Sequence, residues 1–292
     1  MNNLNANYER ILEVLRKISK ENLLCYQRRK PKLSDLEVIA LSLTSEYMGI
    51  DSENHLFRIL PTELSQKIER SVYNRRRRRL FPSLEIIRKQ LVGRFNKFEE
   101  VFVLDSMPLE VCKLSRSGRS KICKEAFYSS PKKGYCAAQK MHYYGYKLHA
   151  VCSIGGVVES LDITPANVHD IHYLKDIKYH LNDCSLIGDK GYLSAQCQLD
   201  LFESCNIKLE VPTRKNQNNY TKQPYALRKS RKRIETLFSQ LCDQFMIRRN
   251  YAKSFDGFKT RVLAKISAMT IVQYINKFLF NRNINNIKIN IV

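Results

Sequence analysis

The sequence predicts a mixed α/β chain: an all-helical region over residues 1–98, a mixed-sheet domain over 99–280 and a short tail over 281–292. Three observations carry this reading. Apolar residues recur at helical spacing as far as Phe98 with no strand pattern between them, short apolar runs ending at acids or glycines begin at Val101, and an alternating segment is broken at Gly155 and Gly156. A chain of 292 residues is long enough to bury a sizeable core.

Tyr8, Ile11, Leu12, Leu15 and Ile18 lie on one helical face, and a second helix opens at LSDLEVIAL, where Ser34 and Glu37 have the spacing of a capping box. SENHLFRIL and the stretch from Pro61 to Phe98 read as further short helices. Lys67 to Lys97 holds eleven Lys or Arg against two acids, and Arg75, Arg76, Arg77, Arg78 and Arg79 are consecutive. A charge run is usually a solvated face. Here Tyr73, Phe81 and Phe95 interleave with it, which suits a helix-turn-helix-like unit gripping phosphates and so positioning the chain on DNA.

Val101 to Leu104 reads as a strand buried on both faces that stops at Asp105. Lys113 to Tyr143, with eight basic residues and the single acid Glu125, reads as a mobile loop or a nucleic-acid-clamping insertion. Tyr144 to Cys152 and Val157 to Ile163 form a hairpin across the two glycines. ANVHDIHYLKDIKYHL reads as a helix, CSLIGD as a second buried strand ending at Asp189, SAQCQLDLFESCN as a helix and IKLEVPT as a short strand. Thr213 to Arg233 carries eight basic residues and no acid, and it feeds an amphipathic helix with Ile234, Leu237, Phe238, Leu241 and Phe245 on one face and Glu235 at its edge. NRNINNIKINIV reads as a frayed end or a minor strand.

A formal net charge of +22 points to a polyanionic partner, with nucleic acid the first expectation. No run reaches the length of a membrane span and the first residues carry no signal-peptide core, so the expected location is the cytoplasm, at the nucleoid, with no membrane partner. The nine cysteines contain no CxxC pair, which gives neither a disulfide framework nor a zinc site any support; they read as reduced packing residues.

Two neighbouring parallel strands ending in Asp105 and Asp189, with a helix bringing Glu235, would gather three carboxylates. Like charges so close are tolerated only when protonated or when they hold cations, and hard oxygen donors suit Mg²⁺. Two such ions about 4 Å apart activate an attacking oxygen and stabilise a leaving one at a phosphodiester. Taken singly, either Asp is more often a turn or cap residue, and Glu235 an ion-pair partner for Arg228 or Arg231. His169 and Asp170 read equally as near-site residues or as caps, His149 as structural, and Lys190 and Tyr192 either as phosphate contacts or as the end of a strand.

VLDSMP, YGYKLHAV, ITPANVHD, GDKGY and RKRIETLFSQL resemble the DDE transposases of bacterial insertion sequences, and KLSDLEVIALSL with YNRRRRRL resembles the insertion-sequence 982 family. The resemblance runs from about Leu33 to about Ile275. It implies an RNase H-like catalytic fold behind a helical DNA-binding region, with Asp105, Asp189 and Glu235 as a metal-binding triad for two Mg²⁺, or Mn²⁺ in their place. Separations of 84 and 46 residues leave room for the hairpin, the crossover and a connecting strand. Of the Tyr-Arg-Glu-Lys signature around the Glu in related families, Arg231 keeps the Arg, while Arg228 and Cys242 replace the Tyr and the Lys. Lys190, Arg231 and Lys232 are the expected DNA contacts beside the acids.

The implied activity is metal-dependent cleavage at the terminal inverted repeats of double-stranded DNA and joining to target DNA, by a homodimer or larger synaptic assembly. The rivals are an RNase H-like nuclease that does not rejoin, and a transposase-derived regulator that binds DNA without cutting it.

Overall fold

The computed structural model describes residues 3–24, 30–213 and 223–292, and the chain divides into two compact units: Met1–Arg94 with Gln240–Val292, and Phe95–Ser239. Cys25 and residues 214–222 of the acid-free basic segment lie outside the described residues. The packing division differs from the expected one, because residues 240–280 join the N-terminal helices and not the sheet.

The first unit is helical: α1 (Leu4–Arg16), α2 (Asp35–Tyr47), α3 (Glu53–Ile59), α4 (Thr62–Ser65), α5 (Arg70–Arg79) and α6 (Phe81–Asn96). Ser34 and Glu37 close the expected capping box at the start of α2. α10 (Phe255–Tyr274) packs against α2 and α5 and is buried on nearly every side, its polar Thr260, Arg261, Lys265 and Gln273 included. The buried charged side chains of this unit are paired. Glu46 meets Arg261 at 3.0 and 3.1 Å and Lys265 at 2.6 Å, Arg77 reaches Glu53 at 2.7 Å, and Lys265 also donates to the Phe245 carbonyl at 2.7 Å. The tail is neither frayed nor a strand: Ile287 and Ile291 are buried and Asn276 donates to the Asn286 carbonyl.

The second unit is a six-stranded mixed sheet: β1 (Val101–Cys112), β2 (Lys132–Cys136), β3 (Met141–Ser153), β4 (Val158–Pro165), β5 (Cys184–Ile187) and β6 (Ile207–Glu210), in the order β2-β3-β1-β5-β6 with β4 also on β3. β1 pairs antiparallel with β3 and parallel with β5, and β6 continues the parallel side. The hairpin forms as expected. Gly156 turns it at φ +90, and a Cβ there would overlap the Arg233 guanidinium, so this position needs glycine for both backbone and space.

α7 (Leu174–Ile177) and α8 (Ala195–Cys205) cover a core of Phe102, Leu104, Tyr173, Leu186, Tyr192, Leu201 and Leu209. α8 starts at Ser194, which caps Cys197, and ends at Asn206 in the left-handed region. α9 (Tyr225–Asp243) carries the amphipathic face, with Ile234, Leu237 and Leu241 fully buried.

Three expectations for this unit change. β1 does not stop at Asp105 but runs seven residues further, because β3 continues to pair with it after β5 has ended at Ile187. Pro108 is tolerated in that extension, where β1 has lost one neighbour and a missing N–H breaks no second ladder. The basic insertion is partly built, since β2 pairs with the start of β3. The helix expected after Pro165 shortens to a 3₁₀ turn, Asp170–Tyr173, followed by the single-turn α7.

Candidate active site

Register brings the two aspartates level. Val103 pairs with Ile187, so Asp105 and Asp189 each lie two residues beyond the last parallel pair, where β5 leaves the sheet and β1 continues. Asp105 accepts the Ser106 N–H at 2.8 Å. Asp189 begins the 3₁₀ turn Lys190–Tyr192, yet its carboxylate makes no capping hydrogen bond; it faces Arg231 of α9 at 3.3 Å instead. The bland role of an Asp at a strand end, capping the turn that follows, is thus not the one Asp189 takes.

Burial raises the Asp105 carboxyl to about 6; the Ser106 N–H and Arg231 oppose this, while Asp189 and Asp170 add to it. Asp105 therefore lies within electrostatic reach of two further carboxylates, and Arg231 supplies the compensating charge. A folded-state value above the unfolded one near 3.9 means that the fold holds this proton more tightly than the open chain does. The resulting stability is complete below about pH 4 and is lost as pH rises to about 6. Asp105→Asn, freed of this penalty, is expected to exceed the native chain in stability by on the order of 2 kcal/mol at pH 7.5 and by little at pH 4. Urea unfolding in a chelating buffer checks it, and a pH-independent difference between the two proteins would count against a part-buried, proton-holding Asp105.

Asp170, left open by the sequence, is held beside Asp105 by a polar network. Its Oδ1 accepts from Lys147 Nζ at 2.9 Å and from Ser106 Oγ at 3.2 Å. His149 Nδ1 lies 4.0 Å from the same oxygen, while Nε2 pairs with Thr164 Oγ1 at 2.8 Å and the ring stacks on Tyr173. Burial pushes His149 down to about 4, so the imidazole is neutral at pH 7. Tyr192 is buried in the core, Lys190 is exposed, and His169 caps the 3₁₀ turn by accepting the Ile171 N–H at 3.3 Å. Lys147 and Ser106 escaped the sequence reading although both lie inside quoted motifs, YGYKLHAV and VLDSMP. Neither has a composition signal, since their relevance comes only from the pairing of β1 with β3.

Glu235 is exposed on α9, one turn after Arg231 and on the same face, as residues four apart are. Lys232 is exposed beside it. Among the described residues no three His, Cys, Asp or Glu side chains form a ready-made metal cluster. The donor chemistry nevertheless fits a hard divalent ion: two carboxylates at one level, a third acid on the helix face that already reaches Asp189, and a part-buried Asp105 whose ionisation asks for a cation.

The basic run divides. Arg76 pairs with Asp35 at 2.6 Å and donates to the Leu33 carbonyl at 2.9 Å, and Arg77, only 6% exposed, pairs with Glu53. These two hold the helices together, so the expected phosphate contacts of Arg76 and Arg77 are taken up by pairing within the fold. Arg75, Arg78 and Arg79 line an open cleft of about 480 Å³ with Phe81 and Lys259.

The transposase DDE domain family matches residues 96–271, more than half of the chain. This chain belongs to that family. The transposase domain so defined contains both aspartates, Glu235 and the whole sheet. No curated protein matches the sequence. No helix among the described residues is long and apolar enough to cross a membrane.

Proposed function

We propose that this transposase is of the insertion-sequence 982 type and that it binds the terminal inverted repeats of its element, cuts there and joins the freed 3′ hydroxyl to target DNA. The observation that carries the reading is the level placement of Asp105 and Asp189 beside Arg231, in a transposase DDE domain with Glu235 one turn along the same helix. A mixed sheet with an antiparallel hairpin on one side of β1 and parallel strands on the other supports an RNase H-like catalytic fold.

Asp105, Asp189 and Glu235 would hold two Mg²⁺, or Mn²⁺, which when bound supply the Lewis acidity for in-line attack and for the leaving oxygen. Arg231, Lys190 and Lys232 neutralise the phosphates that the carboxylates would otherwise repel. Asp170, fixed by Lys147 and Ser106, keeps the floor beneath Asp105 polar and hydrogen-bonded. Two element ends must be held together for joining, so the working form is a homodimer or larger.

The test is strand transfer with precut element ends: joined products support the transposase, and hydrolysis alone supports a nuclease. Failure to nick in Mg²⁺ while still binding DNA would leave a regulator.

Phosphate gripping in the helical unit is assigned to Arg75, Arg78 and Arg79. Replacing all three by Ala is expected to weaken duplex binding whatever its sequence and to reduce the salt slope by about 2 to 3, at close to 0.9 per lost contact. An unchanged slope in a salt titration would remove the role.

A further inference from the structure

The basic insertion between β1 and β3 is not used by the chemistry above. Seven of its eight cations are exposed, Lys113, Arg116, Arg119, Lys121, Lys124, Lys133 and Lys140, and Glu125 is its one acid. Three aromatic rings stand in water among them: Phe127 is 78%, Tyr128 90% and Tyr135 53% exposed. Phe127 and Tyr128 meet edge to face at 5.8 Å, Lys132 Nζ lies 4.8 Å from the Phe127 centroid, and Tyr135 leans on its cross-strand partner His142 at 4.9 Å.

This segment is built, not loose. Cys123 is fully buried, Tyr146 donates to the Ser129 carbonyl at 2.6 Å, and Gly134 lies so close to Ala166 that a Cβ would come within 2.5 Å of its carbonyl oxygen. The frame presents the rings instead of burying them. Lysines on an edge strand such as β2 are by themselves a guard against strand pairing. That guard does not require solvent-exposed Phe and Tyr, which cost hydration and invite association.

Cations beside bare rings in one built segment suit a polyanion that also offers flat apolar faces. A second copy of a chain carrying +22 would be repelled here. In duplex DNA the base faces are already stacked, so the rings could meet only unpaired bases.

We propose that residues 113–142 form a stacking platform for a single-stranded stretch of DNA, with Phe127 and Tyr128 taking base faces and the surrounding lysines the phosphates. This rests on the reading of the protein as a transposase acting on DNA ends, where strands separate during cutting and joining.

The experiment measures fluorescence anisotropy of the full chain in a chelating buffer, with a labelled thymidine oligonucleotide of about 15 nucleotides and with a duplex of the same length. The double variant Phe127→Ala/Tyr128→Ala is expected to bind the single strand at least about tenfold more weakly, since two base-stacking contacts are lost. Its duplex affinity should stay within about twofold, and its salt slope should not change because no charge is removed. Phe127→Tyr/Tyr128→Phe, which keeps both ring faces, should bind the single strand as the native chain does. Equal losses on both DNAs, no loss on the single strand, or loss of a dimer with single-strand affinity intact would each overturn the proposal. A native chain that binds duplex but gives no differential effect overturns the platform alone, whereas one that binds neither DNA also overturns the transposase reading on which it rests.

Discussion

Asp105→Asn, Asp189→Asn and Glu235→Gln are each expected to lower DNA cleavage and strand transfer by at least about a thousandfold while leaving binding of the element ends within a few-fold of the native chain. Each exchange keeps the shape and removes one anionic oxygen donor, so the loss falls on the chemical step. The three should also be non-additive, any pair costing about what one costs, because the acids act as a unit. Asp105→Asn carries a second signature, since relief of a part-buried charge makes it more stable at neutral pH while it is inactive. A stabilised, DNA-binding, non-cutting protein cannot be explained as a folding failure. Cleavage at the native rate in Mg²⁺ by any one variant would remove that residue from the site, and Glu235 is the most exposed to this test because it rests on helix spacing and family pattern, with no ion pair among the described residues.

Glu46→Gln is expected to destabilise the helical unit by about 3–5 kcal/mol. The side chain lies among Arg261, Lys265 and, at 3.9 Å, Arg77, all nearly inaccessible to water. Removing the one acid they share leaves buried cations facing each other. Burial alone would raise the Glu46 carboxyl, but Arg261 and then Lys265 outweigh it and hold it below the usual carboxylate range. Its stabilisation is therefore present above the unfolded value near 4.3 and is lost as pH falls through the lower folded one. Lys265→Met in the Glu46→Gln background should recover part of the loss, since it removes one uncompensated charge and keeps the apolar stem. Urea unfolding followed by helical circular dichroism reads all of these. A cost below about 1 kcal/mol for Glu46→Gln would mean that water reaches the cluster and that the network does not hold the helices.

The strands leading to Asp105 and Asp189, the hairpin at Gly156 and the cap at Ser34 were legible because burial on both faces, strand alternation and capping each leave a mark within a few residues of chain. The length of β1 was not. Its second half is sustained by β3, some forty residues further along, and a stretch containing Ser106, Pro108 and Glu110 has no apolar run to announce it. The same limit applies to charge. Five consecutive arginines look alike in one dimension, and only the positions of Asp35 and Glu53 divide them into two that bind the fold together and three that face a cleft.

The identity of the carboxylates and the apolar runs that carry the two aspartates were thus written locally, because a buried strand must be apolar wherever it lies. The grouping of residues 240–292 with the N-terminal helices, the anchoring of Asp170 by Lys147 and the pairing of Glu46 with Arg261 across 215 residues were settled by packing. A pairing between distant polar groups is a property of the folded surface each one meets, and neither member's neighbours in the chain encode it.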